Sequence, residues 1–241
     1  MFEENLFKKI INHQEKKDFE DDPIIKELVD KIHELAHSEN SIGKGMTAEV
    51  FISKTNPDVC YKIIHDDGEY KFRHSVYDEG EILAKAEKIS KTCGVRVPKP
   101  YYSILTNCED GNEFEVLVME RLHASSIRDV LASDLDVPED FDFRAFASRV
   151  DDFFSKLHDQ KIYHRDAHGG NLMIEDETGL PCVIDFGAGI EMALRSEDPY
   201  QQQNSHGETV IFTQDEHRIR QELRVNLRGY LFKKYGNIHN L

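Results

Sequence analysis

Three oxygen-bearing residues, Asp166, Asn171 and Asp185, stand at spacings that could do chemistry on a phosphate. Asp166 and Asn171 lie five apart inside "HRDAHGGN", a run that crowds His164, Arg165, Asp166, His168 and Asn171 into eight positions, and Asp185 follows in "VIDFG". Such a run ligates a metal, holds a phosphate or makes an unusually polar turn. Asn and Asp oxygens are hard ligands suited to Mg²⁺, which prefers oxygen donors and usually arrives with phosphate. Asp166 would then stand beside the metal, able to accept a hydrogen bond from an attacking hydroxyl. A zinc site on His164 and His168 fails on geometry. Their spacing presents two imidazoles together only on a helix, and Gly169-Gly170 opposes one. His164 reads instead as a structural residue beneath the loop.

Upstream lie further pieces of the same chemistry. In "IGKGMTAEVF", Gly43 and Gly45 precede Val50, and glycines there let a hairpin backbone close over phosphates without a side-chain clash. The same pair also fits an ordinary hairpin. Lys62, inside the apolar run "VCYKII", is costly to bury unless an anion meets it. Glu79 is the candidate partner, because it shares a helical face with Val76 and Leu83 and so projects toward whatever that helix packs on. Phosphoryl transfer needs a loop over the phosphates, a Lys on them, metal-holding oxygens and an Asp orienting the nucleophile. All occur here, in the chain order loop, Lys62, Asp166, then Asn171 and Asp185.

The elements that must position these residues follow from periodicity. A helix is expected at "DPIIKELVDKIHELAH", where Ile25, Leu28, Val29, Ile32, Leu35 and Ala36 recur at helical spacing after Asp22-Pro23. From Ser41 the pattern turns to short strands, then a helix in "YKFRHSVYDEGEILAKAEKIS", then the strands "PYYSILTN" and "EFEVLVMERL" around "CEDG". That order gives a small antiparallel sheet with one helix. Beyond Leu122 the chain is mainly helical. "FDFRAFASRVDDFFSKLHDQ" puts Phe143, Phe146, Val150, Phe153 and Leu157 on one stripe, a hairpin is expected from Leu172 to Ile184, and a last helix carries Ile219, Leu223, Leu227 and Leu231. The fold class is α+β. The expected divisions are a helical extension over 1–39, a sheet-based lobe over 40–120 and a minimal helical lobe over 121–241.

Bulk properties narrow the function. The chain has 241 residues and a net charge of −16, the acidic excess being spread along it. A nucleic-acid surface needs clustered Lys and Arg, and none is evident, so an ATP-sized anion needs a local site. Cys60, Cys93, Cys108 and Cys182 are scattered, without a C-x-x-C pair, and read as reduced thiols. The start, "MFEENLFKKI", lacks the basic and apolar regions of a secretory signal, and no run approaches a membrane span. The protein is expected to be cytoplasmic where it is made, a test that leaves open secretion into a host cell without a cleavable signal.

With these residues in view, the chain resembles the protein-kinase-like superfamily over about Ile42 to Gly189. The Gly-rich loop is "GKGMTAEV", the strand Lys is in "CYKII", the helix Glu in "EGEIL", the hinge in "VMERL", the catalytic loop is "HRDAHGGN" and the metal motif "DFG". The resemblance implies a bilobal fold using ATP and Mg²⁺. Lys62 would contact the α- and β-phosphates and pair with Glu79, Asp166 would be the base, and Asn171 and Asp185 would hold Mg²⁺. Gly43, Gly45 and Val50 would cover the nucleotide, and Glu120 and Leu122 would offer backbone groups to adenine behind Met119 as gatekeeper.

The departures bear on the acceptor. Ala48 replaces the third glycine of the loop, and His168 stands where typical Ser/Thr kinases place a Lys. "D-x-H-x-G-N" instead looks like the aminoglycoside and choline phosphotransferases. Only 54 residues follow Gly187 and no "APE" occurs. This short second lobe is similar to Rio-type and KEOPS-complex kinases and to small kinases that bacteria inject into host cells. Arg165 keeps the residue that would read a loop phosphate, with Ser196, Tyr200, Ser205, Thr209 and Thr213 as candidate phosphosites. The expected acceptor is a Ser/Thr hydroxyl of a protein. A small-molecule phosphotransferase and an inactive scaffold stay open, and the helices before Asn40 either pack on the first lobe or recruit a protein partner.

Overall fold

The computed structural model describes residues 8–11, 23, 41–44, 48–64, 75–107, 113–192, 198–203, 209–211 and 213–236. The chain divides into two compact units, one of residues 1–84 and 99–121, the other of residues 85–98 and 122–241.

In the first unit, β1 (Lys8–Ile11), β2 (Ser41–Lys44), β3 (Ala48–Ile52), β4 (Val59–Ile64), β5 (Pro100–Asn107) and β6 (Glu113–Glu120) form one sheet in the order β1-β5-β6-β4-β3-β2. Every described pairing is antiparallel except β1 on β5, which is parallel and aligns Lys8 with Tyr102 and Ile11 with Leu105. Within the span expected as a helical extension, 1–39, the described residues Lys8–Ile11 form a strand instead. Without β1, strand β5 would be a sheet edge with unpaired backbone groups, and the β-branched pair Ile10-Ile11 suits the extended conformation that satisfies them. The apolar stripe from Ile25 to Ala36 lies outside the described residues.

Strand β4 is buried along its whole length, as a central strand covered on both faces must be. Alternation sends Val59, Tyr61 and Ile63 into a cluster with Phe51, Ile104, Val116 and Val118, and Cys60, Lys62 and Ile64 to the opposite face. Burial pushes the Cys60 thiol up to about 12, which makes it an inert core residue. Helix α1 (Val76–Ser90) is fixed to this sheet at its first turn. Ser75 Oγ accepts from the Asp78 N–H at 3.2 Å, the Glu115 carboxylate accepts from the Val76 N–H at 3.0 Å, and Ser103 Oγ donates to the Val76 carbonyl at 2.7 Å. The first two bonds satisfy donors that every helix start leaves open, and the third ties the Val76 carbonyl to β5.

In the second unit, β7 (Ala124–Ser126) leads into α2 (Ile127–Ala132), whose cap is Ser126, and α3 (Phe143–Asp159) starts at its cap Asp142. The expected stripe Phe143, Phe146, Val150, Phe153 and Leu157 is buried. β8 (Ile162–Tyr163) pairs with β11 (Ile190–Glu191), and β9 (Leu172–Glu175) lies between β7 and β10 (Pro181–Val183). The segment read as merely polar, from Glu197 to Gly207, contributes β12 (Gln201–Gln203), which pairs with β13 (Thr209–Ile211). Among the described residues no helix is long and apolar enough to cross a membrane.

The last described elements are α4 (Asp215–Ile219), a π-helical stretch (Arg220–Leu227) and α5 (Arg228–Tyr235), which continue one another. The sequence explains the change of winding. Asp215, Ile219, Leu223, Leu227 and Leu231 are all buried and recur at every fourth residue. An α-helix turns 3.6 residues at a time, so a period of four drifts by about 40° at each step. A π-turn is wider, bonding i to i+5, and drifts the other way; Arg228 donates to Leu223 O in this manner. Mixing the two windings keeps the five residues on one side.

Candidate active site

On the first unit the candidate residues share a face of the sheet. Gly43 pairs with Val50, Val50 with Lys62, and Lys62 with Leu117, and residues opposite one another across strands point the same way. Met119 pairs with Cys60, two residues before Lys62, and so joins that face. Lys62 Nζ lies 2.6 Å from Glu79 Oε1, with side chains 6% and 2% exposed. The central strand supplies the Lys, and the capped first turn of α1 supplies the Glu. A buried ion pair contributes little net stability over an apolar pair of similar volume, which points to a role for this one beyond folding. Glu120 N–H donates to Lys99 O at 2.9 Å, and its carbonyl receives the Cys60 thiol at 3.7 Å. Leu122, half-buried, follows in the second unit. Gly45 lies outside the described residues.

On the second unit, "HRDAHGGN" joins β8 to β9 as a loop with few idle backbone groups. His164 is fully buried and braces it with both ring nitrogens: Nδ1 accepts from the Asp166 N–H at 3.2 Å, and Nε2 donates to Ile184 O at 2.9 Å. Phe186 of the "DFG" triplet packs on the His164 ring, centroids 4.5 Å apart. Asn171 Nδ2 donates to the Asp166 carbonyl at 2.9 Å and to its carboxylate at 3.2 Å. Burial raises the Asp166 pKa above the usual carboxylate value, and the Asp185 carboxylate adds to it, while His168, His164 and the Asn171 amide oppose. Asp166, Asn171 and Asp185 are thus brought together. Arg165 and Asp185 both sit at positive φ, 67° and 62°, a conformation that costs non-glycine residues energy and clusters at functional sites.

The two glycines have steric reasons. A Cβ on Gly170 would stand 2.8 Å from His168 Cε1 and about 3 Å from the Arg128 guanidinium, and one on Gly169 would stand 2.7 Å from Glu222 Oε2. His168 Nδ1 accepts from the Gly170 N–H at 3.0 Å, and its Nε2 lies 3.6 Å from Asp166 Oδ2.

Sequence reasoning missed the residue that anchors this loop. Asp215, fully buried at the start of α4, accepts from the Arg165 N–H at 2.8 Å and the His164 N–H at 2.9 Å. His158 stands on its other side, with Nε2 at 3.2 Å from Asp215 and Nδ1 at 2.9 Å from Glu216. A signal existed: Asp215 falls one four-residue step before Ile219 on the buried stripe. The structure also corrects the reading of Tyr200 as an available phosphosite. Its ring is buried and its hydroxyl accepts from the Asp215 N–H at 3.3 Å, and burial together with the Asp215 charge drives its pKa upward. Ser196 and Ser205 lie outside the described residues, while Thr209 is exposed and Thr213 half-buried. Arg165 is itself 3% exposed, and burial lowers its pKa to about 10 against the pull of Asp215 and Tyr200.

The profile of the protein kinase domain matches residues 36–212. The chain belongs to the protein kinase family. No curated protein matches the chain. Membership in this family of phosphotransferases gives the kinase domain its general activity class, and it accounts for why a buried Lys-Glu pair and a strained, fully braced Asp loop occur in one chain. The matched span ends three residues before Asp215, so the anchor of the "HRDAHGGN" loop lies outside it.

Proposed function

We propose that this kinase domain transfers the γ-phosphoryl group of ATP, with Mg²⁺, to a Ser or Thr hydroxyl of a protein. The observation that carries the reading is the Asp166 carboxylate, held by the Asn171 amide and within electrostatic reach of Asp185. Asp166 accepts the hydrogen bond of the acceptor hydroxyl and takes its proton as the oxygen bonds to the γ-phosphorus and the bond to the β-phosphate oxygen breaks. Both hydrogen bonds of the Asn171 amide nitrogen go to Asp166, and its Oδ1 would hold a cation together with the Asp185 carboxylate. Among the described residues no cluster of three or more His, Cys, Asp or Glu could hold a metal. Two protein oxygens fit an ion that takes its remaining ligands from phosphate and water. Mg²⁺ supplies charge neutralisation on the phosphates when bound. Lys62, steered by Glu79, binds phosphate oxygens; Gly43, Gly45, Val50 and Met119 border the nucleotide; Glu120 C=O and Leu122 N–H hold adenine.

A second reading, phosphorylation of a small cationic metabolite, is favoured by one observation. His168 braces the loop through the Gly170 N–H and does not present a free Lys-type cation. Incubation with labelled ATP and either protein mixtures or metabolite pools separates the two. Label in neither pool, or label unchanged in Asp185→Ala, would refute both.

A further inference from the structure

The helix of Asp215–Tyr235 presents a face that no other element among the described residues covers. One face, Ile219, Leu223, Leu227 and Leu231, is buried. A second is tied to the loop before α3: Tyr230 Oη donates to Asp134 Oδ1 at 2.8 Å, Tyr235 Oη donates to Asp136 Oδ1 at 2.6 Å, and Lys234 Nζ lies 3.1 Å from both carboxylates. The third carries Val225, Arg228, Gly229 and Phe232, the i, i+3, i+4, i+7 set that makes one helical stripe. Val225 is 57% and Phe232 63% exposed, and among the described residues no heavy atom lies within 4 Å of a Cβ built on Gly229. The helix is held in place on two sides, so this apolar stripe belongs to an ordered element.

Charge says what would cover it. The chain carries −16 overall, yet between Asp215 and Tyr235 it places six Lys and Arg against three Asp and Glu. Beside the stripe a cavity of about 410 Å³ lies between α3 and this helix, with Phe143 and Ala147 in its lining and Arg144, Arg224 and Arg228 around it. The one carboxylate in that lining, Asp151, pairs with Arg224 at 3.1 Å. A second copy of the chain on the same patch would bring the Arg224 and Arg228 of both copies to one interface, because a two-fold contact joins the same surface of each. A nucleic acid would have to approach through the field of a strongly acidic protein and has no use for an apolar stripe.

We infer that this face docks an acidic amphipathic helix of a partner protein, its apolar side on Val225 and Phe232, with Gly229 allowing close approach, and its carboxylates on Arg224 and Arg228. The inference does not depend on catalysis. The test uses the full chain and a fluorescent peptide with Leu at i, i+3, i+4 and i+7 and Glu elsewhere. Two controls replace the Glu residues by Lys, or the Leu residues by Ser. The Glu-Leu peptide should bind, shift the amide signals of Val225, Arg228 and Gly229, and weaken as salt is raised. Its affinity should fall at least roughly tenfold in Arg224→Glu/Arg228→Glu and several-fold in Phe232→Ser. Thermal unfolding should leave Phe232→Ser near wild type, because the side chain is exposed, so that variant decides if the charge reversal disturbs the fold. Equal binding of the Lys peptide, no binding of the Glu-Leu peptide, or affinities unmoved in both variants would overturn the inference. So would a wild-type dimer in sedimentation that Phe232→Ser dissociates, since the occupant would then be a second copy.

Discussion

Replacing Asp215 by Asn tests whether the loop bearing Asp166 is held from α4. Asp215 offers two ionised oxygens to two backbone donors, Arg165 N–H at 2.8 Å and His164 N–H at 2.9 Å. An Asn of the same size has one acceptor, so whichever way the amide turns, its NH₂ faces one of these donors. The change loses a bond to a charged acceptor, about 1.5–3 kcal/mol, and strands a buried N–H, about 1–3 kcal/mol. The expected loss is roughly 3–5 kcal/mol, a large share of the about 5–15 kcal/mol that holds a domain folded. At about 2–4 °C per kcal/mol for a chain of this size, Tm should fall by roughly 6–20 °C. Hydrogen exchange localises the effect, because each 1.4 kcal/mol is a decade, so protection at the His164 and Arg165 amides should fall by roughly two to four decades. A variant with Tm within about 2 °C of wild type and unchanged protection at both amides would refute the anchoring role.

Three further outcomes are expected. Glu79→Gln leaves Lys62 buried without its counter-charge and should cost about 3–5 kcal/mol in denaturant unfolding, whereas Lys62→Met/Glu79→Leu should recover most of that loss yet show no ATP-dependent label transfer. Gly170→Ala should lower stability by about 1–3 kcal/mol through its contact with His168, and His168→Ala should relieve part of it in a double-mutant cycle. Burial alone would lower the His158 pKa, but its hydrogen bond to Asp215 and the Glu216 and Asp215 charges raise it above 6.5. A raised folded-state pKa gives stability that is fully present below 6.5 and lost as pH rises through the folded value. Melting curves across that range should therefore fall for wild type and flatten for His158→Gln.

Much of the candidate chemistry was legible because it rests on local patterns. The strand "PYYSILTN" spans the same residues as β5, the stripe of α3 is buried as its period requires, and Glu79 lies on the inward face that Val76 and Leu83 define. Where the pattern was short or polar, the reading failed. "KKII" gives no periodicity, and its strand exists only because β5 offers an edge. The stretch around Gln201 reads as polar loop until β13 pairs with it. Tyr200 reads as an available hydroxyl until Asp215 is found against it, 15 residues on in the chain.

The sequence by itself determined which residues could do phosphoryl chemistry and on which elements they lie, because hydrophobic period, capping residues and glycine positions act over a few residues. Only the tertiary structure decided what holds them. Lys62 meets Glu79 across 17 positions, and His164 and Arg165 meet Asp215 across about 50. No local propensity encodes such pairs; a buried charge or N–H takes whatever partner the packed core brings within hydrogen-bonding distance.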